Sequence, residues 1–183
     1  AGTYIIAALM LNSKLEVKNF NPEYLKSLIN ILKKMGANLK IYKDSIKVLK
    51  TLTLKSTSVT TSPYPGFPTD LQAQLMSLMC LSDGKSKIKE TIFENRFMHV
   101  PELNRLGANI TVEKDTAIIQ GNQFFKGAQV MASDLRASIS LVLAAMNAKG
   151  NTTLNRVYHL DRGYENIEKT LGSLGVNIKR QKI

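Results

Sequence analysis

The sequence predicts an α/β (α+β) domain made of three βαβαββ repeats, with apolar helices inside, sheets outside, and a pattern incomplete at both chain ends. Three observations carry this expectation. First, LGANITV at 106–112 is echoed by MGANLKI at 35–41 and LGVNIKR at 174–180, which sets Gly36, Gly107 and Gly175 71 and 68 residues apart. Each echo reads as a helix ending at a glycine and turning into a strand. Second, the elements flanking each glycine recur in the same order. Third, the first helix of each repeat, as in ISLVLAAM at 139–146, is apolar nearly all round. Such a helix belongs in an interior, not on the outer face of a sheet.

The repeats span about 1–50, 51–121 and 126–183. The middle one is the most complete. It offers the β-like run LKSTSVTT, a helix from Thr69 and Asp70 (TDLQAQLMSLMCL), the strand SKIKETI, a helix ending at Leu106, and the strands ANITV and AIIQG around Lys114 and Asp115. The first repeat opens directly on the helix GTYIIAALML and continues with LEVKNF, the helix NPEYLKSLINILKKM and the strands NLKIY and SIKVL. The third gives the strand GAQVMA, a helix from Ser133, the strand TTLNRVY, the helix RGYENIEKTLGSL and the strand VNIKR. The first copy thus lacks its opening strand and the third its closing strand. Unpaired strand edges are costly, so a fragment of a longer protein is expected.

Composition narrows the function classes. An apolar share of 44% beside 21% charged residues excludes a disordered chain. The longest apolar runs are far too short to span a bilayer, so no membrane association is expected. The single cysteine, Cys80, excludes an internal disulfide and fits a reducing, cytoplasmic compartment; its setting among leucines and methionines reads as core packing. The net charge of +11 comes mostly from scattered lysines: residues 1–60 hold ten Lys against three acids, and residues 61–183 hold fifteen basic against eleven acidic. A basic nucleic-acid-binding repeat module is therefore one reading. Without aromatic–basic interleaving or an Arg-rich run, a solvated lysine face is the simpler one, and no nucleic-acid partner is expected.

Where repeats share structure, departures from the repeat point to function. The first helices begin Thr3-Tyr4, Thr69-Asp70 and Ser133-Asp134. The hydroxyl residue in each is read as an N-cap, whereas the acid follows only in copies two and three. Asp70 and Asp134 are then either favourable helix-terminal charges or site residues. The arginines sharpen the choice, because there are only six against nineteen lysines. Arg96 and Arg162 are read at the openings of the second helices of copies two and three, and Arg136 in the first turn of a first helix. A cation there opposes the helix dipole, while the guanidinium fork suits a carboxylate or phosphate. Asp134 and Arg136 also allow a purely local ion pair. The proline-rich loop TSPYPGFPTD at 61–70 is read as a rigid holder of Asp70.

At these residues the sequence resembles a known family. PYPGFPTDLQAQ, ETIFENRFMHVPELNRLGA, GAQVMASDLRAS and YHLDRGYENIEKTLGSLGV are similar to the C-terminal half of the UDP-N-acetylglucosamine enolpyruvyl transferases. The resemblance covers essentially the whole chain and is strongest over 61–177. It implies two inside-out α/β barrel domains of three βαβαββ units each, of which one is present here and the partner domain is not. It also implies roles. Asp70 takes the proton of the sugar 3′-hydroxyl, Ile92 contacts the UDP-sugar through its backbone, and Arg96 lies beside the reacting groups. Arg136 and Arg162 hold the phosphoenolpyruvate carboxylate, with Asp134 as a neighbour. UDP-N-acetylglucosamine and phosphoenolpyruvate are the implied ligands, and no metal or organic cofactor is implied. Tyr64 departs from a histidine of some members. The family's mobile cysteine loop, and a lysine and asparagine near its N-terminus, have no counterpart here. On this basis roughly 200 or more residues would precede Ala1, and the isolated chain would be inactive. A shikimate-pathway enolpyruvyl transferase shares the implied fold and is the nearest alternative.

Overall fold

The computed structural model describes residues 1–181. Three helices form the interior: α1 (Gly2–Met10), α3 (Gln72–Met79) and α5 (Leu135–Met146). They are the first helices of the three repeats. Every residue of α3 is buried, as is the run Ala137–Ala144 of α5. Some buried polar groups on these helices pair between them, while Gln72 Nε2 and Gln74 Oε1 on α3 have no partner among the described residues. Ser77 Oγ donates to the Ser140 carbonyl at 3.1 Å, and Asn147 Nδ2 reaches from the end of α5 to the Met10 carbonyl at 2.7 Å. The outer helices are different in kind. In α2 (Lys26–Lys34) only Leu28, Ile29 and Leu32 are buried, so one apolar stripe faces inward and the lysines face water.

The sheets lie around this interior and report how complete each repeat is. The middle repeat has four strands in the order β4 (Ser58–Thr60), β5 (Lys85–Lys89), β7 (Thr116–Gln120), β6 (Asn109–Glu113), with β4 and β5 parallel and the rest antiparallel. The first has β1 (Leu15–Lys18), β3 (Ser45–Val48) and β2 (Leu39–Ile41), the same arrangement without its opening strand. The third has only the parallel pair β8 (Gln129–Met131) and β9 (Thr153–Asn155). In β5 the side chains of Lys85, Lys87 and Lys89 point out while Ser86 and Ile88 point in. The three sheets do not join into a closed barrel among the described residues.

The recurring glycines end three helices in the same way: α2, α4 (Val100–Arg105) and α6 (Ile167–Ser173). Gly36, Gly107 and Gly175 have φ of 92°, 100° and 93°. The next residue's N–H returns to the helix, from Ala37 to Leu32, Ala108 to Leu103 and Val176 to Leu171, at 2.9, 3.0 and 3.0 Å. This Schellman closure needs a left-handed residue, which glycine supplies at least cost.

Three expectations about elements are corrected. The segment VNIKR forms no strand: in the middle repeat β6 is held only by β7, and no equivalent of β7 is present among the described residues to hold residues 176–180. The hydroxyls of Thr3, Thr69 and Ser133 cap no helix. Thr3 Oγ1 pairs with the Tyr164 hydroxyl at 2.8 Å, Thr69 Oγ1 donates to Glu90 Oε2 at 2.8 Å, and Ser133 Oγ donates to Asp134 Oδ2 at 3.2 Å. The helices also start later than read around two arginines. Arg96 precedes α4, which opens at Val100 with Pro101 in its first turn. Arg162 ends a 3-10 turn, Val157–Arg162, and left-handed Asn166 separates it from α6. The helix-dipole argument therefore holds only for Arg136.

Candidate active site

Asp70 lies in a 3-10 turn, Thr69–Leu71, that leads into α3, and Arg136 lies in the first turn of α5. Because α3 and α5 pack side by side in the interior, their starts bring two residues 66 positions apart into contact. Arg136 Nε donates to Asp70 Oδ1 at 2.6 Å, and a terminal guanidinium nitrogen lies 2.5 Å from the same oxygen. The pair is open to solvent on the aspartate side, whose side chain is 66% exposed against 34% for the arginine. An exposed pair of this kind adds little stability, so its geometry matters more than its energy.

Asp134 does not pair with the Arg136 side chain, as a local ion pair would require. It is the N-cap of α5: its Oδ1 accepts from the backbone N–H of Arg136 at 2.8 Å and of Ala137 at 3.1 Å. The carboxylate thereby sets the direction of the helix start that carries Arg136. Ser138 adds a further hydrogen bond to the Asp134 carbonyl.

Arg96 stacks on the Phe93 ring at 4.2 Å to its centroid. It also lines a cavity of about 280 Å³ with Thr69, Gln72, His99, Asp134 and Arg136. Thus Arg96, Asp134 and Arg136 share one cavity, to which Asp70 is joined by its pair with Arg136. A larger concavity, of about 930 Å³, runs on from Arg96 past Ile92 and Phe93 toward Val112 and Lys114. Ile92 faces it. Its N–H is already given to Glu90, which leaves the Ile92 carbonyl as the backbone group free to meet a ligand.

Arg162 stands apart. It is exposed, lines neither cavity, and its side chain has no hydrogen bond or ion pair among the described residues. Its turn is nonetheless docked on the site: a Cβ at Gly163 would lie 2.8 Å from Leu135 Cδ2, next to Arg136. The absence of a side chain at Gly163 leaves Leu135 its place there.

Two residues of the site escape a reading of the sequence. Glu90, at the end of β5, is only 4% exposed and collects four hydrogen bonds. An acid closing a strand gives no sign of this, because two of its partners lie 29 and 21 residues back. His99 is also buried, and its Nε2 has no partner among the described residues. Burial lowers its pKa to about 4 despite the opposing pull of Asp134. The helical spacing of FMHVPEL gives a hint of burial but not of the cavity. Burial likewise raises the Cys80 thiol to about 12, in keeping with a packing role. Among the described residues no helix is long and apolar enough to cross a membrane, and no His/Cys/Asp/Glu group is arranged to hold a metal.

Tyr64, in the proline-rich loop, is exposed. The loop is pinned at its base, where Ser62 donates to the Phe67 carbonyl at 2.9 Å and Gly66 to the Pro63 carbonyl at 2.8 Å. It enters the Thr69–Leu71 turn directly, through Pro68.

The chain is similar to several known proteins. The UDP-N-acetylglucosamine 1-carboxyvinyltransferase of Pelagibacter ubique is 53% identical over 180 residues, covering 98% of this chain and 43% of its own. That of Xylella fastidiosa (strain M12) is 52% identical, with coverages of 98% and 42%. The chain spans less than half the length of these curated relatives. Among solved structures, the enolpyruvyl transferase NikO from Streptomyces tendae superposes with a TM-score of 0.91 at 28% identity, over 97% of this chain and 42% of that one. EPSP synthase from Acinetobacter baumannii shares the fold at a TM-score of 0.79 and 18% identity, over 99% and 46%. The model of the EPSP synthase (3-phosphoshikimate 1-carboxyvinyltransferase) family matches residues 1–171, and the chain belongs to that family.

Proposed function

We propose that this chain is the C-terminal part of a cytoplasmic UDP-N-acetylglucosamine 1-carboxyvinyltransferase, which moves the enolpyruvyl group of phosphoenolpyruvate to the sugar 3′-hydroxyl in peptidoglycan synthesis. The observation that carries this is the Asp70–Arg136 contact beside Arg96, built by two repeats on their inner helix starts. A carboxylate to accept a proton and a guanidinium fork to hold an anion stand at one point. Addition to an enol ester needs that combination.

In this scheme Asp70 accepts the 3′-hydroxyl proton while the sugar oxygen bonds to C2 of phosphoenolpyruvate and its C3 gains a proton. Loss of inorganic phosphate and of a C3 proton then restores the vinyl group. Arg136 holds the carboxylate, aimed by the Asp134 cap. Arg162, on the turn docked against Leu135, completes the anion site, and Arg96 borders the reacting groups. The Ile92 carbonyl meets the sugar. A second domain of the same protein supplies the opposite wall of the cleft, and the reaction asks the protein for acid–base and electrostatic work alone. The relatives at 51–53% identity favour the UDP-sugar over a shikimate phosphate as acceptor.

The test is phosphate release by the full-length protein. It is expected with UDP-N-acetylglucosamine and phosphoenolpyruvate and not with shikimate 3-phosphate in place of the sugar. Asp70→Asn keeps the size of the side chain but not its proton acceptance, so kcat should fall by about 10²–10⁴. A parental kcat in that variant contradicts the assignment.

A further inference from the structure

Glu90 has no place in the scheme above, yet its surroundings are those of a working part. It is the one buried acid among the described residues, at 4% exposure, and both carboxylate oxygens are in use. Oε1 accepts from Thr61 Oγ1 at 2.8 Å, from Ile92 N at 2.9 Å and from Phe93 N at 3.3 Å. Oε2 accepts from Thr69 Oγ1 at 2.8 Å. One carboxylate thus ties together three segments: the end of β4 with the proline-rich loop, the turn carrying Asp70, and the turn carrying Ile92, Phe93 and Arg96. A second clasp lies beside it, where Thr91 N–H donates to Thr61 Oγ1 at 2.9 Å.

The cost of burying a carboxylate is offset only by well-placed donors, and a hydrophobic pair would hold the strands as well. What the carboxylate adds is direction. Its two oxygens fix the Thr69 hydroxyl on one side and the Ile92–Phe93 amides on the other. We propose that Glu90 is a positioning residue that sets Asp70, through Thr69, against the sugar-facing backbone at Ile92. The proposal rests on the reading of Asp70 as the base. Thr69 and Asp70 are neighbours in one turn of a 3-10 helix, so a hydroxyl freed from Glu90 lets the base drift from the 3′-oxygen. A misplacement of about 1 Å costs on the order of 100-fold in rate.

The experiment compares Thr69→Val, Thr69→Ser, Glu90→Gln and Asp70→Asn in the full-length protein, measuring kcat, the KM for each substrate and the melting temperature. Thr69→Val keeps the shape and removes the donor. Its kcat should fall about 10- to 100-fold, with the phosphoenolpyruvate KM and the melting temperature close to parental. Thr69→Ser restores the donor and should restore most of the rate. Glu90→Gln keeps one acceptor for the Ile92 and Phe93 amides and can donate to Thr69, so it should lose less than Thr69→Val. A parental kcat in Thr69→Val beside a slow Asp70→Asn overturns the positioning role alone. A parental kcat in Asp70→Asn overturns the base reading and the positioning role with it. Equal loss in Thr69→Val and Thr69→Ser, or a loss explained wholly by a fallen melting temperature, reduces Glu90 to a structural strut.

Discussion

The start of α1 and the start of α5 occupy the same place in their repeats and are built for different ends. At α1, Thr3 is buried and its hydroxyl meets the Tyr164 hydroxyl in a neutral pair that closes the first repeat against the third. At α5 the same place holds Asp134 and Arg136, one capping the helix and the other reaching across to Asp70. The start of α3 is intermediate, with Thr69 taken by buried Glu90 and Asp70 left exposed. The repeat provides three equivalent helix starts around one interior. At two of them stand charged residues that the first does not carry, and the proposed chemistry is placed there. Repetition supplies the scaffold, and departure from repetition marks the candidate site.

That contrast can be sharpened from the charged side first. Arg136→Lys in the full-length protein keeps the charge but loses the fork, so the KM for phosphoenolpyruvate should rise by about 10- to 100-fold while that for the UDP-sugar changes little. An equal rise in both would remove the carboxylate assignment. Steady-state kinetics with each substrate varied in turn decides it.

A smaller effect comes from His99. Its folded pKa of about 4 lies below the ordinary value of 6.5, so the unfolded chain binds more protons at intermediate pH. Its contribution is complete above about pH 6.5 and is lost as pH falls toward 4, reaching at most about 3 kcal/mol. His99→Gln should be less stable at neutral pH but flatter between pH 6.5 and 4 in denaturant titrations. A slope equal to the parent's would show that His99 is not the group responsible.

The inner face of the scaffold gives the smallest effects. Tyr164→Phe removes one partner of Thr3, and about 1 kcal/mol of stability should go with it, leaving kcat untouched. Cys80, buried with its thiol raised to about 12, should resist alkylation in the native state and react only on unfolding. Mass spectrometry after brief iodoacetamide treatment checks this.

What the sequence showed and what it hid follow from the range of the interactions. The Gly36, Gly107 and Gly175 turns were legible because a Schellman closure is decided by a few neighbouring residues. The buried helices were legible because an all-apolar surface has only one place to go. Asp70, Arg96, Asp134 and Arg136 were legible as departures from the repeat, and three of them line one cavity. The fate of VNIKR was not, since a strand exists only with a partner. Neither was the choice of Asp134 over Ser133 as the cap, because both types can cap and only the backbone geometry separates them. Arg96 was set on a helix that in fact begins only at Val100. Glu90 was invisible because its meaning lies in partners contributed by two other segments.

The central claim is that the repeated helix starts divide into a structural one at Thr3 and chemical ones at Asp70 and Arg136. Its most direct test is kcat and melting temperature measured side by side for Thr3→Val and Asp70→Asn in the full-length protein. Thr3→Val should keep its kcat and lose a few degrees, since one buried hydrogen bond is worth about 1 kcal/mol. Asp70→Asn should keep its melting temperature and lose about 10²–10⁴ in kcat. The crossed result, a slow Thr3→Val beside an active but less stable Asp70→Asn, would contradict the account.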